Sequence, residues 1–181
     1  KYVELKDSYK SISEALIHAG VSNNTKIKVH WIQSEQITPK NAKSILTSMH
    51  GILVAPGFGS RGISGKIEAI RFAREAGIPF LGIRLGMQCA VIEFSRNVLG
   101  LSDAHTAEID PESTNPVISM MEAQKKNSHL GGTMRLGSYV CQLKPGTKIA
   151  QAYQVDLINE RHRHRYELNN DYIDVLQKGG M

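Results

Sequence analysis

No stretch of the sequence is apolar for anything near the roughly 20 residues that a membrane-spanning helix needs. The opening KYVELKDSYK is charged and lacks the apolar centre of a secretory leader. Cysteine is scarce: Cys89 and Cys141 are the two in 181 residues. That excludes a disulfide-stapled scaffold and makes a reducing cytoplasm the expected compartment. These cysteines and the seven histidines show no metal-ligand spacing, so no metal site is expected. The charge excess is small, at +5, and the basic residues are mostly scattered. Charge alone therefore implies no nucleic-acid partner. There is no internal repeat and no low-complexity linker. The length suits one domain with a sizeable core.

What the sequence does have is an alternation of helix and strand signals. Tyr9 to Ala19 carries Ile12, Ala15 and Leu16 at helical spacing, with Gly20 as the expected stop. Lys26 to Ile32 alternates Ile27, Val29 and Trp31 against Lys28 and His30, which predicts a strand with one wetter face. Thr38-Pro39 opens a helix expected to reach about Met49. Gly51 to Ala55, GILVA, is the continuous apolar run of a buried parallel strand. Lys66 to Ala76 predicts an amphipathic helix with Ile67, Ile70 and Phe72–Ala73 inward and Gly77 at its end. Pro79 to Ile83 predicts a strand, Gly86 to Leu99 a helix, Ser138 to Leu143 a strand, Lys144-Pro145-Gly146 a turn, and Asp171 to Gln177 a last helix. This order argues for an α/β domain of three layers around a mainly parallel central sheet.

Two glycine-rich loops follow successive strands, where an open α/β sheet places its site. One is Ala55-Pro56-Gly57-Phe58-Gly59-Ser60-Arg61-Gly62. The other is the turn in PFLGIRLGMQCAV, in which Gly82 and Gly86 bracket Arg84. A G-x-Nu-x-G turn of this shape pushes a nucleophile into a cleft. Arginine cannot serve as one, because its guanidinium stays protonated and has no usable lone pair. Cys89 lies more than one turn into the following helix and is expected in the core, as is Cys141.

The stretch from GILVAPGFGSRG to SRNVLG, together with GGTMRLG and ERHRHRYELNN, resembles the glutamine amidotransferase domain of CTP synthase along nearly the whole chain. The resemblance implies a class I, flavodoxin-like α/β fold. It implies hydrolysis of glutamine to ammonia, which a separate amidoligase (synthetase) domain uses with ATP and Mg to convert UTP to CTP. No cofactor is implied in this domain itself. The family's partners are L-glutamine and the synthetase domain, and the family forms homotetramers. By resemblance Arg84 occupies the nucleophilic cysteine position. Gly57 and Leu85 supply the oxyanion-hole N–H groups, and Phe58 walls the pocket. Gln88 and Glu108 hold the glutamine's polar groups. Arg165, or Arg163, pairs with its α-carboxylate, which suits a planar guanidinium. Gly131 to Gly137 resembles the family's lid loop.

The sequence departs from the family at several points. Arg84 replaces the nucleophile. Ser64 stands where a Glu is common and Ala107 where a Thr is frequent. The family's downstream F-H-P-E-F motif has no match, and KYVELKD resembles the segment just after the family's first strand. Residues 1–181 are thus expected to be an incomplete amidotransferase domain, without the synthetase domain. Two readings follow: an inactive amidotransferase portion, or a non-catalytic module that keeps the fold and a glutamine pocket. His162 and His164 are expected on a solvated edge.

Overall fold

In the computed structural model, residues 6–120 and 135–181 are described. The residues Gly131–Met134 of the expected lid loop lie outside them, while Arg135–Gly137 open a strand. Helix α1 (Lys10–Ser22) and short helix α2 (Ala42–Leu46) precede strand β1 (Ile52–Val54). Then come α3 (Ile63–Ala76), β2 (Phe80–Gly82) and α4 (Leu85–Asn97). Strands β3 (His105–Thr106) and β4 (Pro116–Met120) follow, then β5 (Arg135–Gln142) and α5 (Lys148–Tyr153). The chain closes with β6 (Leu157–His164), β7 (Tyr166–Leu168) and α6 (Ile173–Lys178).

The β-α-β-α order from β1 to α4 produces the expected parallel ladder, with Ile52 opposite Phe80 and Val54 opposite Gly82. A second parallel ladder joins β3 to β4, and β7 adds to β4 antiparallel. Strands β5 and β6 form an antiparallel ribbon from Arg135↔His164 to Gln142↔Leu157. The core sits where α3 and α4 pack on each other and on β1, β2 and β4, through Ile67, Ile70, Ala73, Val91, Ile92 and Ile118. Gly77 ends α3 in the left-handed conformation (φ 65°), as its position in the sequence implies.

Three local expectations fail for tertiary reasons. Gly20 lies buried inside α1 and does not stop it; the helix ends at Asn23, whose side-chain amide donates to the Ala19 carbonyl at 2.8 Å. The helix after Pro39 is confined to Ala42–Leu46. Lys26–Ile32 takes up no helix and joins no ladder among the described residues. The whole segment, Lys28 and His30 as well as Ile27, Val29 and Trp31, borders a cavity of about 850 Å³, whose other walls include Leu53 of β1 and Leu16 of α1. Trp31 is held by stacking on Tyr9, with ring centres 6.0 Å apart.

The connection from α4 to β4 is organised by one carboxylate. Asp103 accepts hydrogen bonds from the Thr114 N–H (2.8 Å), the Thr114 hydroxyl (2.5 Å) and the Asn115 amide (2.6 Å). These bonds favour the ionised form and hold its pKa down at about 2. A depressed carboxylate pKa contributes stability above its unfolded value of about 4, lost as pH falls through the folded value. Thermal melts of the native chain and of Asp103→Asn should therefore differ at neutral pH and converge between about pH 4 and pH 2. A gap that persists unchanged below that window would refute the assignment.

Candidate active site

Parallel pairing sets the two glycine loops side by side at the carboxyl ends of β1 and β2. The first loop is pinned where it leaves β1. The Lys66 ammonium donates to the Ala55 carbonyl at 3.1 Å, and the Tyr9 hydroxyl donates to the Pro56 carbonyl at 3.1 Å. Both anchors are buried: Lys66 is 4% exposed and Tyr9 also 4%. They fix the backbone immediately before Gly57. The amphipathic pattern of α3 assigns Lys66 to its wet side, so local periodicity misses it; a lysine flanked by Gly65 and Ile67 carries no local sign of burial.

The second loop is strained at its centre. Arg84 has φ 52° and ψ −109°, a backbone region that side-chain-bearing residues rarely adopt and that costs of order 1–3 kcal/mol. The turn is held by the Gly86 N–H on the Ile83 carbonyl and the Gln88 N–H on the Arg84 carbonyl, both at 3.0 Å. Gly82 and Gly86 make its tightness possible. A Cβ on Gly82 would lie 2.7 Å from backbone atoms of Gly86 and Met87, and one on Gly86 would lie 1.9 Å from the Val54 carbonyl oxygen. The glycines therefore let the start of α4 rest directly on β1 and β2.

The Arg84 side chain spans the gap between the first loop and the ribbon. Its guanidinium carbon lies 5.3 Å from the centre of the Phe58 ring, a cation–π distance. Its Nη2 donates to the Arg163 carbonyl at 3.2 Å. Charge alone would pair Arg84 with Glu108, the carboxylate that the resemblance places in the pocket. Among the described residues no hydrogen bond or ion pair joins the two. Glu108 is exposed on the turn after β3, its own N–H on the Thr106 hydroxyl at 3.3 Å, and the β6 backbone provides the acceptor instead.

Of the other candidates, Leu85 is buried at the first position of α4, where N–H groups have no intrahelical acceptor. Gln88 is half-buried one turn later. Arg163 lies on the exposed face of β6, and Arg165 is half-buried at the bend between β6 and β7. Gly57, Phe58, Arg84, Leu85 and Arg163 thus converge, with Gln88 on the adjoining turn. Cys89 is fully buried, and desolvation pushes its thiol up to about 11. It is a core residue, as its place in the helix implies.

The ribbon corrects two further expectations. Strand alternation turns Arg161 and Arg163 outward and His162 and His164 toward the half-buried face. His162 stacks on Tyr139 (5.2 Å), and the two histidine rings lie tilted at 5.2 Å. His164 Nε2 lies 3.3 Å from Glu167. The histidines therefore line a packed face and not a solvated edge. Cys141 shares that face half-buried, its sulfur 4.0 Å from His162 Nε2, and is not in the core.

A family model described as glutamine amidotransferase class-I matches residues 4–179. The chain is 59% identical over its full length to a CTP synthase of Cytophaga hutchinsonii and 55% identical to one of Clostridium perfringens, covering 34% of each. It thus spans about a third of the length of these relatives. Among solved structures it is similar to the Trypanosoma brucei CTPS glutaminase domain with bound acivicin, at a TM-score of 0.88 and 37% identity, covering 96% of this chain and 67% of that one. The loop geometry, the family match and the whole-chain identity agree: the chain belongs to the class-I glutamine amidotransferase family, is similar along its whole length to the amidotransferase part of CTP synthases, and carries arginine at the centre of its strained turn.

Proposed function

We propose that this chain is the glutamine-binding part of a CTP synthase polypeptide and that it does not itself hydrolyse glutamine. The observation that carries the reading is Arg84 at the centre of the strained turn, with Gly57 and Leu85 beside it. Hydrolysis by this family's chemistry needs an attacking thiolate, activated by a base. Arginine offers donors only. Cys89 cannot substitute, because it is sealed in the core with its thiol held protonated.

The remaining residues of the two loops and the ribbon would still serve to bind an amino acid. The backbone N–H groups of Gly57 and Leu85 would face a developing oxyanion, Phe58 would wall the pocket, and Gln88 and Glu108 would take polar groups. Arg165, at the ribbon's bend, would pair with an α-carboxylate, with Arg163 as the alternative. In the longer polypeptide the partner would be the ammonia-consuming synthetase domain, working in the cytoplasm as a homotetramer, with ATP and Mg confined to that domain and no cofactor here. Arg84 also favours the second reading, a non-catalytic module that keeps the pocket.

Ammonia release from glutamine by the native chain should stay at the background of buffer and of Arg84→Gly. Release above that background, removed by Cys89→Ala, would overturn the proposal and restore Cys89 as a nucleophile. Titration calorimetry of glutamine into Arg84→Gly tests the pocket itself, since glycine both relieves the positive φ and clears the side chain.

A further inference from the structure

We propose that the Arg84 guanidinium converts this pocket from a carboxamide site to a carboxylate site, so that it takes L-glutamate in preference to L-glutamine. The inference rests on the reading of the site as an amidotransferase pocket and names the ligand that this particular chain selects.

The guanidinium stands between Phe58, 5.3 Å away, and the β6 backbone, where it reaches the Arg163 carbonyl at 3.2 Å. Those two elements are the walls of the proposed pocket. A guanidinium has five N–H donors and no acceptor. A side-chain carboxamide brings one acceptor and one donor NH₂, so half of its polar surface meets donors of the same sign. A carboxylate brings two acceptors and a charge, and it matches the planar fork in a bidentate pair. Glutamate and glutamine are otherwise nearly isosteric, so the choice between them is decided at this contact.

The surroundings favour the same outcome. The present acceptor of Arg84 is a neutral carbonyl on an exposed strand residue, and a carboxylate is the stronger acceptor. The nearest strand ends in Arg161-His162-Arg163-His164 and runs into Arg165 at the bend, a basic run that includes the proposed α-carboxylate partner. Of the acidic groups close by, Glu167 is engaged with His164 at 3.3 Å. Glu108 is exposed on the turn after β3, and among the described residues no hydrogen bond or ion pair joins it to Arg84. The Phe58 ring lies at cation–π distance from the guanidinium and helps to fix its position.

Calorimetric titration of L-glutamate and L-glutamine into the native chain, Arg84→Met and Arg84→Gly, at low and at moderate salt, decides the matter. The native chain should bind glutamate at least roughly tenfold tighter than glutamine, the difference expected of one charge-assisted pair. The preference should weaken with added salt. Arg84→Met keeps length without charge and should lose that preference; Arg84→Gly should take glutamine. Equal affinities in the native chain, or glutamate binding unchanged in Arg84→Met, would overturn the inference. Glutamine binding to Arg84→Gly with no glutamate binding to the native chain would defeat the carboxylate site and leave the pocket standing. No binding of either amino acid to any of the three would defeat both.

Discussion

Replacing Gly86 with alanine is expected to destabilise the chain by about 3 kcal/mol or more, enough to unfold a domain of ordinary marginal stability when combined with any second defect. Two effects oppose each other. Gly86 lies inside helix α4, where alanine is intrinsically better than glycine by about 1 kcal/mol. Against that, the new Cβ would sit 1.9 Å from the Val54 carbonyl oxygen and 2.8 Å from its carbon. Both are backbone atoms of β1, so no side chain can rotate away; the strand or the helix must shift. Overpacking a tight contact costs 1–3 kcal/mol even where side chains can adjust, roughly, and here they cannot. The clash therefore exceeds the propensity gain. Gly77→Ala is the control. Gly77 has φ 65° and open space around its Cβ position, so it should show backbone strain alone, about 1 kcal/mol. Urea unfolding of both variants measures the contrast. A Gly86→Ala protein as stable as Gly77→Ala would mean that α4 does not rest on β1 as described.

That contact also explains which parts of the site the sequence discloses. The glycine spacing in PFLGIRLGMQCAV is a local signature with a steric cause, so the strand, the turn, the first residues of α4 and the position of Arg84 are all legible. The apolar run GILVA and the amphipathic pattern of Lys66–Ala76 with its Gly77 stop are local in the same sense. What escapes is decided by residues far apart in the chain. Lys66 is buried because the carbonyl of Ala55 needs a donor. Arg84 finds the carbonyl of Arg163, 79 residues away, and not the carboxylate that charge alone suggests. The RHRHR run reads as a charged stripe, yet pairing with β5 turns His162 and His164 to the half-buried face and Arg161 and Arg163 outward, while Arg165 falls half-buried at the bend beyond the strand. The alternation of Lys26–Ile32 suggests a strand with one wet face, but Ile27 and Val29 stay exposed along with Lys28 and His30, because a ladder needs a partner strand, which no local pattern specifies.

The second large effect concerns the joint between the two helices that carry the loops. Glu93 on α4 is 1% exposed, and Arg74 on α3 holds it with Nε at 3.2 and 3.1 Å from its two oxygens and Nη2 at 2.8 Å from one of them. The amide of Asn97 adds a fourth bond at 3.1 Å. The same carboxylate contact raises the Arg74 pKa further, so this cation stays charged at any relevant pH. Arg74→Met should cost about 3 kcal/mol, the low end for breaking a buried pair, because Asn97 still donates. The loss arises almost wholly on the Glu93 side: the Arg74 side chain is 34% exposed and would lose little by itself, whereas the carboxylate would be stranded in a dry interface. Two comparisons make the cause visible. Arg74→Met combined with Glu93→Leu should recover much of the loss, since it removes the stranded charge along with its partner. Arg61→Met, which breaks the exposed pair with Glu35, should cost about 1 kcal/mol or less. Chemical denaturation of the three variants gives the ordering. If Arg74→Met proved as mild as Arg61→Met, Glu93 would have to reach water without its partner, and α3 and α4 would not be locked together as drawn.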